Sequence, residues 1–153
     1  MAFELTSTAF QEGDKIPKEY TGDGRNTSPP LKWTDPPPGT HSLALVCEDP
    51  DAPRGTFTHW VAFNLPAESR ELSEGVPPET NLANGTTQIA NDFGKVGYGG
   101  PAPPPGKPHR YFFRLYALDR KLDLKPSATK TQVAEAIRAH ALAETELMGT
   151  YQR

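Results

Sequence analysis

The strongest strand pattern in the sequence is HRYFFRLYAL, residues 109–118, in which apolar or aromatic residues recur at every second position. Side chains on a β-strand alternate between its two faces, so Tyr111, Phe113 and Leu115 share one face with His109. A run of this length and composition predicts a half-buried strand. That strand would begin with a histidine and a tyrosine on its apolar face.

Two more segments have the composition of strands. Residues 42–48, SLALVCE, are mostly apolar, and residues 57–65, FTHWVAFNL, are aromatic and β-branched. Residues 3–10 alternate more loosely. Stretches rich in proline and glycine separate these segments and disfavour regular pairing. The sequence therefore predicts a mainly β domain.

One amphipathic helix is predicted near the C-terminus. The stretch 129–148 opens with a possible capping box, Thr129-x-x-Gln132, and is rich in alanine, glutamate and leucine. Gly149 follows it as a natural stop. A single helix after a series of strands has to bury its apolar stripe against a sheet. The residues of that stripe are Val133, Ile137 and Ala141.

The bulk composition narrows the class of protein. The 153 residues fit one domain, residues 1–153, and the net charge of −3 without Lys/Arg clusters argues against a nucleic-acid partner. The N-terminus lacks a signal-peptide pattern, and no apolar run is long enough for a transmembrane segment. The one cysteine, Cys47, lies in an apolar run, so we expect a buried thiol in the cytoplasm.

Polar side chains lie near one end of each predicted strand. Asp49 and Asp51 follow the predicted strand 42–48, and parity places His59 on one face of the predicted strand 57–65 with Val61 and Phe63. If these two strands and the strand 109–118 are neighbours, these groups converge with His109 and Tyr111 at one rim of the core. A loop of sequence GYGGPAPPPGKP would lie above them.

Each of these features also has a purely structural interpretation. Asp-Pro-Asp is a common turn composition, because Asp can cap its own backbone and proline fixes a dihedral angle. His59 could be a hydrogen-bonded core histidine, and the glycine- and proline-rich loop could be a rigid connector. The joint occurrence of all three at strand ends is what favours a functional site.

The sequence lacks the common motifs of catalytic and metal sites. Cys47 is embedded in apolar residues, which disfavours a Cys-His nucleophile pair, and no G-x-S-x-G elbow occurs. Without H-E-x-x-H or paired cysteines, a zinc site would need scattered ligands. Those ligands would be Asp49, Asp51, His59 and His109. We therefore predict no catalytic residue, no metal and no cofactor.

A pocket for a small anion makes better use of the same residues. Backbone N–H groups in a glycine-rich turn can form an anion-binding nest, and a histidine can donate a hydrogen bond or supply positive charge. The aspartates would orient the histidines, or would pair with the ammonium group of a zwitterion such as phosphoethanolamine.

Two motifs resemble the signatures of the phosphatidylethanolamine-binding protein family, in particular its bacterial and archaeal branch of Raf kinase inhibitor-like proteins. The first is DPDAP at 49–53 with THW at 58–60, and the second is GYGGPAPPPGKPHRYFFRLYAL at 97–118. Residues 22–33 and 143–151 also look like that branch. The resemblance implies an antiparallel β-sandwich with a few peripheral helices and a rim pocket for phosphate-like anions and phospholipid headgroups.

The resemblance also implies which residues line the pocket. They are Asp49, Asp51, Pro53, His59, Gly100, Pro101, His109 and Tyr111. Family members often hold the Ala-Pro bond of DPDAP in cis, which makes Ala52–Pro53 a candidate for a cis peptide.

From these observations we expect a protein that binds a small anionic or phosphorylated ligand without transforming it, and therefore not an enzyme. The alternative is a protein-interaction module that inhibits a kinase or a protease. The sequence leaves a homodimer open and does not identify the physiological ligand.

Overall fold

The computed structural model describes residues 2–153, in which eight strands form two sheets whose paired strands are all antiparallel. The strands are β1 Leu5–Thr6, β2 Leu31–Trp33, β3 Ser42–Asp49, β4 Phe57–Pro66, β5 Glu71–Leu72, β6 Thr87–Gln88, β7 His109–Leu118 and β8 Ala141–Tyr151. The smaller sheet has the order β1-β2-β5, and the larger has the order β6-β4-β3-β7-β8. The predicted mainly β, two-sheet fold is confirmed.

The main core lies between the two sheets, and β3 runs through the middle of the larger one. Leu43 and Leu45 of β3 pack into this core, whereas Ala44 faces the opposite side of the sheet. Trp60 and Phe113 extend the same layer on the neighbouring strands. Full burial of one such side chain contributes about 2 kcal/mol, so this layer is what holds the sheets together.

The helix α1, Lys130–His140, covers the outer face of the larger sheet. The predicted capping box is confirmed: the backbone N–H of Gln132 donates to Thr129 Oγ1, and the backbone N–H of Thr129 donates to Gln132 Oε1. Val133 and Ile137 are buried against the sheet, as predicted. Within residues 2–153, no helix has the length and apolar character needed to cross a bilayer.

The predicted extent of this helix is wrong. Composition predicts a helix as far as Met148, but the helix ends at His140 and residues 141–151 form β8. β8 pairs with β7 along its full length, and Leu147 and Tyr151 are buried in the main core. The edge of β7 offers backbone hydrogen bonds and a core to cover, and this tertiary gain outweighs the local preference for helix.

Gly149 serves packing and does not end a helix. A Cβ atom at this position would lie 2.6 Å from Ile16 Cγ1 and 2.8 Å from Phe10 Cε2, so only glycine fits without a shift of its neighbours. Ala141, which was expected in the buried stripe of the helix, is exposed at the start of β8.

The loosely alternating segment 3–10 forms a strand only at Leu5–Thr6. The hydroxyl of Ser7 accepts a hydrogen bond from the backbone N–H of Ala9, a local turn contact that competes with strand pairing. Phe10 is nevertheless buried in the main core. The segment therefore contributes packing without forming the expected longer strand.

Candidate functional site

The pairing of β3 with β4 shifts by one residue at His59. Cys47 pairs with Trp60, as in regular antiparallel strands. The next pair joins Glu48 to Thr58, which leaves His59 as an extra residue. An insertion of this kind is a β-bulge, which re-aims the side chains on one side of it.

The bulge decides which way His59 faces. Val61 and Phe63 pack on the outer face beneath α1, but His59 lies beside Tyr111 on the other face, with ring centroids 5.2 Å apart. The parity prediction that His59 shares a face with Val61 and Phe63 is therefore wrong. The same shift brings His59 next to Asp49, because both now border one cavity.

This cavity, called the rim cavity below, has a volume of about 190 Å³. It lies at the end of the larger sheet where β3 stops and where β4 and β7 begin. Its lining residues are Asp49, Ala52, Pro53, Phe57, His59, Phe93, Ala102, Pro103, Pro104, His109 and Tyr111. The convergence of the three strand ends at one rim, proposed from sequence, agrees with this geometry.

His59 is buried, with an exposed fraction of 3%. Its Nδ1 donates to the carbonyl oxygen of Gly99 at 2.6 Å, and the backbone N–H of Gly99 donates to the carbonyl oxygen of His59 at 2.9 Å. Burial lowers the pKa of His59 below its usual value, although the Gly99 hydrogen bond and the charge of Asp49 oppose this shift. The ring is therefore neutral near pH 7.

A second buried contact joins His109 to Asp49. His109 Nδ1 donates to Asp49 Oδ2 at 2.7 Å, and the residues are 8% and 3% exposed. The other carboxylate oxygen of Asp49 accepts the backbone N–H of Asp51 at 2.8 Å. These hydrogen bonds offset the desolvation of the buried carboxylate and fix the tautomer of His109.

Tyr111 supplies a hydroxyl with no hydrogen-bond partner. It is 1% exposed, and within residues 2–153 its hydroxyl and that of Thr86 are the two buried side-chain polar atoms without a partner. Burial is the main reason that the pKa of Tyr111 lies far above its ordinary value, and the nearby Asp49 carboxylate, which lies outside regular hydrogen-bond geometry, adds to the shift, so the hydroxyl keeps its proton. An unsatisfied buried hydroxyl costs about 1–3 kcal/mol, so an incoming acceptor would be favoured.

The fold and the rim cavity can be compared with known proteins. A family model described as phosphatidylethanolamine-binding protein matches residues 6–152. The chain belongs to this family. A UPF0098 protein of Methanothermobacter thermautotrophicus is 52% identical over 149 residues, which cover 97% of this chain and 98% of the relative.

Two solved structures support the same placement in the phosphatidylethanolamine-binding protein family. The homologue CT736 from Chlamydia trachomatis has a TM-score of 0.90 at 41% identity, covering 99% of this chain and 98% of its own. YbcL of Escherichia coli, described as a member of the mammalian family, has a TM-score of 0.93 at 34% identity, with coverages of 100% and 99%. The bacterial and archaeal branch indicated by the motifs is thus confirmed.

Asp51, which the family motif implies as a pocket residue, does not line the rim cavity in this family member. It forms a two-pronged ion pair with Arg110, whose Nε and Nη2 each lie 2.9 Å from a carboxylate oxygen. The hydrogen bond from this guanidinium is the main reason that the pKa of Asp51 falls to about 2. Pro50 interrupts the alternation before Asp51, so the residue joins the β3–β4 turn to the start of β7.

Gly100 and Pro101 also lie outside the lining of the rim cavity, although both are buried. The backbone N–H of Gly100 donates to Asn26 Oδ1 at 2.7 Å, and a Cβ atom here would lie 2.5 Å from the carbonyl oxygen of Tyr20. This close approach requires glycine. Gly100 and Pro101 therefore anchor the loop whose following residues, 102–104, form the wall of the cavity.

Pro53 does line the rim cavity, but the peptide bond before it is trans. The cis conformation that the family resemblance suggested for Ala52–Pro53 is therefore wrong for this structure. Hydrogen bonds close the turn instead: the backbone N–H of Asp51 donates to Asp49, and that of Gly55 donates to the carbonyl oxygen of Ala52.

The aromatic part of the lining was missed by sequence reasoning. Phe93 is 44% exposed, and its ring centroid lies 4.7 Å from that of Phe57 and 5.4 Å from that of His59. Asp92 fixes this segment, because its carboxylate accepts the backbone N–H of Thr58 at 2.8 Å. The only local signal was an aromatic residue in a turn sequence, NDFG.

Other parts of the described chain are less suited to a site. Within residues 2–153, no group of three or more His, Cys, Asp or Glu side chains is arranged to hold a metal ion. A larger groove of about 860 Å³ lies between α1 and the outer face of the larger sheet, and none of the pocket residues implied by the resemblance lines it. The rim cavity is the better candidate because buried histidines and an unpartnered hydroxyl meet there.

Proposed function

We propose that the rim cavity binds a small anionic group, such as phosphate or a phosphoethanolamine-like headgroup, without transforming it. The observation that supports this most directly is the Tyr111 hydroxyl, which is buried beside two histidines and has no partner. An anionic oxygen would accept its hydrogen bond, and a hydrogen bond to a charged group contributes about 1.5–3 kcal/mol.

The rest of the lining suits an organic substituent on that anion. Phe57 and Phe93 form an aromatic wall, and Pro53 and Pro104 lie across the same cavity. Pockets for small molecules combine such apolar walls with a few polar groups that fix orientation. A headgroup with a short carbon chain fits this arrangement better than a large or highly charged ligand.

We infer a binding role and not a catalytic one from the chemistry of the lining. Its residues include two histidines but no serine, threonine, cysteine or lysine that could act as a nucleophile beside them. Cys47 is buried in the core, and burial raises the pKa of its thiol well above the ordinary value. Hydrolysis of generic phosphoesters that is lost in His59→Ala would contradict this inference.

The binding role can be tested by NMR titration with phosphate, phosphoethanolamine and acetate. The ring resonances of His59 and His109 should shift with phosphate at millimolar concentration, and Tyr111→Phe should weaken binding about tenfold. Tyr116→Phe is the matched control, because Tyr116 packs on the opposite face of the sheet. Binding of phosphate far from these rings, or none at all, would rule out the proposed site.

A second candidate is a protein-interaction module that docks a phosphorylated side chain, for example of a kinase or a protease. The exposed ring of Phe93 at the cavity favours it, since exposed aromatic residues are common at interfaces. A phosphopeptide should then bind more tightly than phosphoethanolamine. Equal capture of a protein partner by the unaltered chain and by His59→Ala would argue against this candidate.

We also infer that the protein works in a reducing compartment such as the cytoplasm. Cys47 is free and buried, so the described chain contains no disulfide. Disulfides form and persist mainly in oxidising compartments. Secretion of the folded protein into an oxidising compartment in its native host would contradict this inference.

A further inference from the structure

Each histidine of the rim cavity has one ring nitrogen whose proton is fixed by its partner. His59 Nδ1 lies 2.6 Å from the carbonyl oxygen of Gly99, and His109 Nδ1 lies 2.7 Å from the carboxylate of Asp49. Carbonyl and carboxylate oxygens accept hydrogen bonds, so Nδ1 carries the proton in both rings. Only Nε2 of each ring is left to meet a ligand.

In its neutral form, His59 offers the ligand an acceptor. Because burial lowers the pKa of this ring, its Nε2 holds a lone pair near pH 7. An anionic oxygen without a proton would be repelled by that lone pair. A ligand that carries an O–H group would instead donate a hydrogen bond to it.

The groups that face His59 come from three parts of the fold. Asp49 approaches from β3, and Asp92 from the segment that follows β6; both charges oppose the lowering of the His59 pKa, but burial has the larger effect. Tyr111 and His109 approach from β7. The carboxylates around the ring therefore do not reverse its neutral state at neutral pH.

The rim cavity has no permanently positive side chain to compensate a fully deprotonated anion. Within the described chain, no lysine or arginine lines the rim cavity. The guanidinium of Arg110 is next to His109 in sequence, but its Nε and Nη2 are paired with Asp51. A ligand in the rim cavity would therefore meet no lysine or arginine charge.

We propose that the rim cavity selects phosphate and phosphomonoesters that retain a P–O–H group, which donates to His59 Nε2 while a second oxygen accepts from the Tyr111 hydroxyl. This inference rests on the proposed function and narrows its ligand class. Sulfate and phosphodiesters have a similar tetrahedral shape, but they have no such proton at neutral pH. An intact phospholipid is a diester, so free phosphoethanolamine belongs to the selected class and a lipid-borne headgroup does not.

Isothermal titration calorimetry at pH 6.5 with four probes tests this selectivity. Inorganic phosphate and phosphoethanolamine should bind at least about tenfold more tightly than sulfate and glycerophosphoethanolamine, the factor expected for one hydrogen bond of about 1.4 kcal/mol. Between pH 7 and 8 the affinity for phosphoethanolamine should fall about tenfold, because phosphomonoesters lose their last proton above a pKa of about 6.

The outcomes separate this inference from the proposed function. Sulfate binding as tightly as phosphate would overturn the selectivity but would leave an anion site. If none of the four probes binds, both proposals fail. In His59→Ala the preference for phosphate over sulfate should fall towards one, and an unchanged preference would overturn the role of this ring.

The position of the proton between the ligand and His59 Nε2 can be measured in the unaltered protein. In the phosphoethanolamine complex at pH 6.5, long-range ¹⁵N spectra of the unaltered protein should show His59 Nε2 without a bonded proton. A protonated Nε2 would mean that the ring and not the ligand supplies the proton, which would overturn the proposal. His140, which lies 3.2 Å from Asp119 outside the rim cavity, is the internal control and should not respond.

Discussion

Tyr111 of β7 and Tyr98 in the loop before β7 both belong to the main core region, and their hydroxyls differ in hydrogen bonding. The hydroxyl of Tyr98 donates to the carbonyl oxygen of Tyr20 at 2.6 Å, whereas that of Tyr111 has no partner. Both side chains pack in or against the main core. One hydroxyl therefore stabilises the fold, whereas the other stays buried without a partner in the described chain, which costs about 1–3 kcal/mol.

The first prediction concerns the ligand-free stability of these two positions. Tyr111→Phe should leave the free energy of unfolding unchanged or raise it by about 1 kcal/mol, because it removes an unsatisfied group. Tyr98→Phe should lower that free energy by about 1 kcal/mol, because the carbonyl of Tyr20 loses its donor. Urea unfolding measures both. Equal losses in the two variants would mean that the Tyr111 hydroxyl is satisfied in the free protein.

The element that departs most from expectation is β8, whose residues favour a helix by composition. Its alternation places Leu147, Gly149 and Tyr151 towards the core and leaves Glu144 and Glu146 outside. Helix propensity differs by tenths of a kcal/mol per residue, whereas pairing with β7 and burying large side chains gains several kcal/mol. The strand forms because these tertiary gains are larger. The composition of residues 141–151 does not predict it, because the partner strand lies elsewhere in the sequence.

Gly149→Ala tests the close packing of β8. We expect a loss of about 1–3 kcal/mol in the free energy of unfolding, typical of an added group in a filled core, because the new Cβ would collide with Ile16 and Phe10. The control is Glu144→Ala, an exposed change in the same strand. If Gly149 were only a helix stop, the two variants would behave alike in chemical unfolding.

The accuracy of the sequence predictions differs between elements for a physical reason. β3 and β7 were recognised because long alternating or apolar runs leave no other way to bury their side chains. The bulge at His59 was not recognised, since one extra residue in β4 is visible only against the strand that it pairs with. The capping box at Thr129 was recognised because it lies within four neighbouring residues.

At the scale of the whole molecule, the rim cavity is assembled from segments that are far apart in the chain. The positions of Asp49, His59 and His109 at strand ends were foreseen from the strand bounds and the family motif, although parity assigned His59 to the wrong face of β4. Phe93 was missed because its position depends on the Asp92 contacts with β4 and with Lys130 of α1. Tertiary contacts of this kind leave no local pattern.

The ion pair of Asp51 and Arg110 predicts how global stability depends on acid. The pKa of Asp51 is about 2 in the folded protein, below the ordinary value of 3.8, so its contribution is fully present above about pH 4. That contribution is lost as pH falls through 2. Asp51→Asn should therefore flatten the fall in stability between pH 4 and 2, measured by chemical unfolding.

Arg110→Gln removes the same contact from the other side and should have the same effect on this acid window. The expected change is modest, because the guanidinium is exposed to solvent and screened by salt. If Asp51→Asn flattened the fall in stability and Arg110→Gln left it unchanged, a group other than the Arg110 guanidinium would be lowering the pKa of Asp51.

The extra residue at His59 also separates two tasks within one strand. On one side of it, Trp60 and Ala62 face the main core and Val61 and Phe63 face the outer side, and on the other side the facing of the side chains is set independently. If the rim cavity binds the proposed ligand, substitutions at Phe57 and His59 should therefore change what it binds without disturbing the packing of Trp60 and Ala62. A β-bulge at this position allows the residues at the rim to vary in sequence while the two-sheet sandwich is kept.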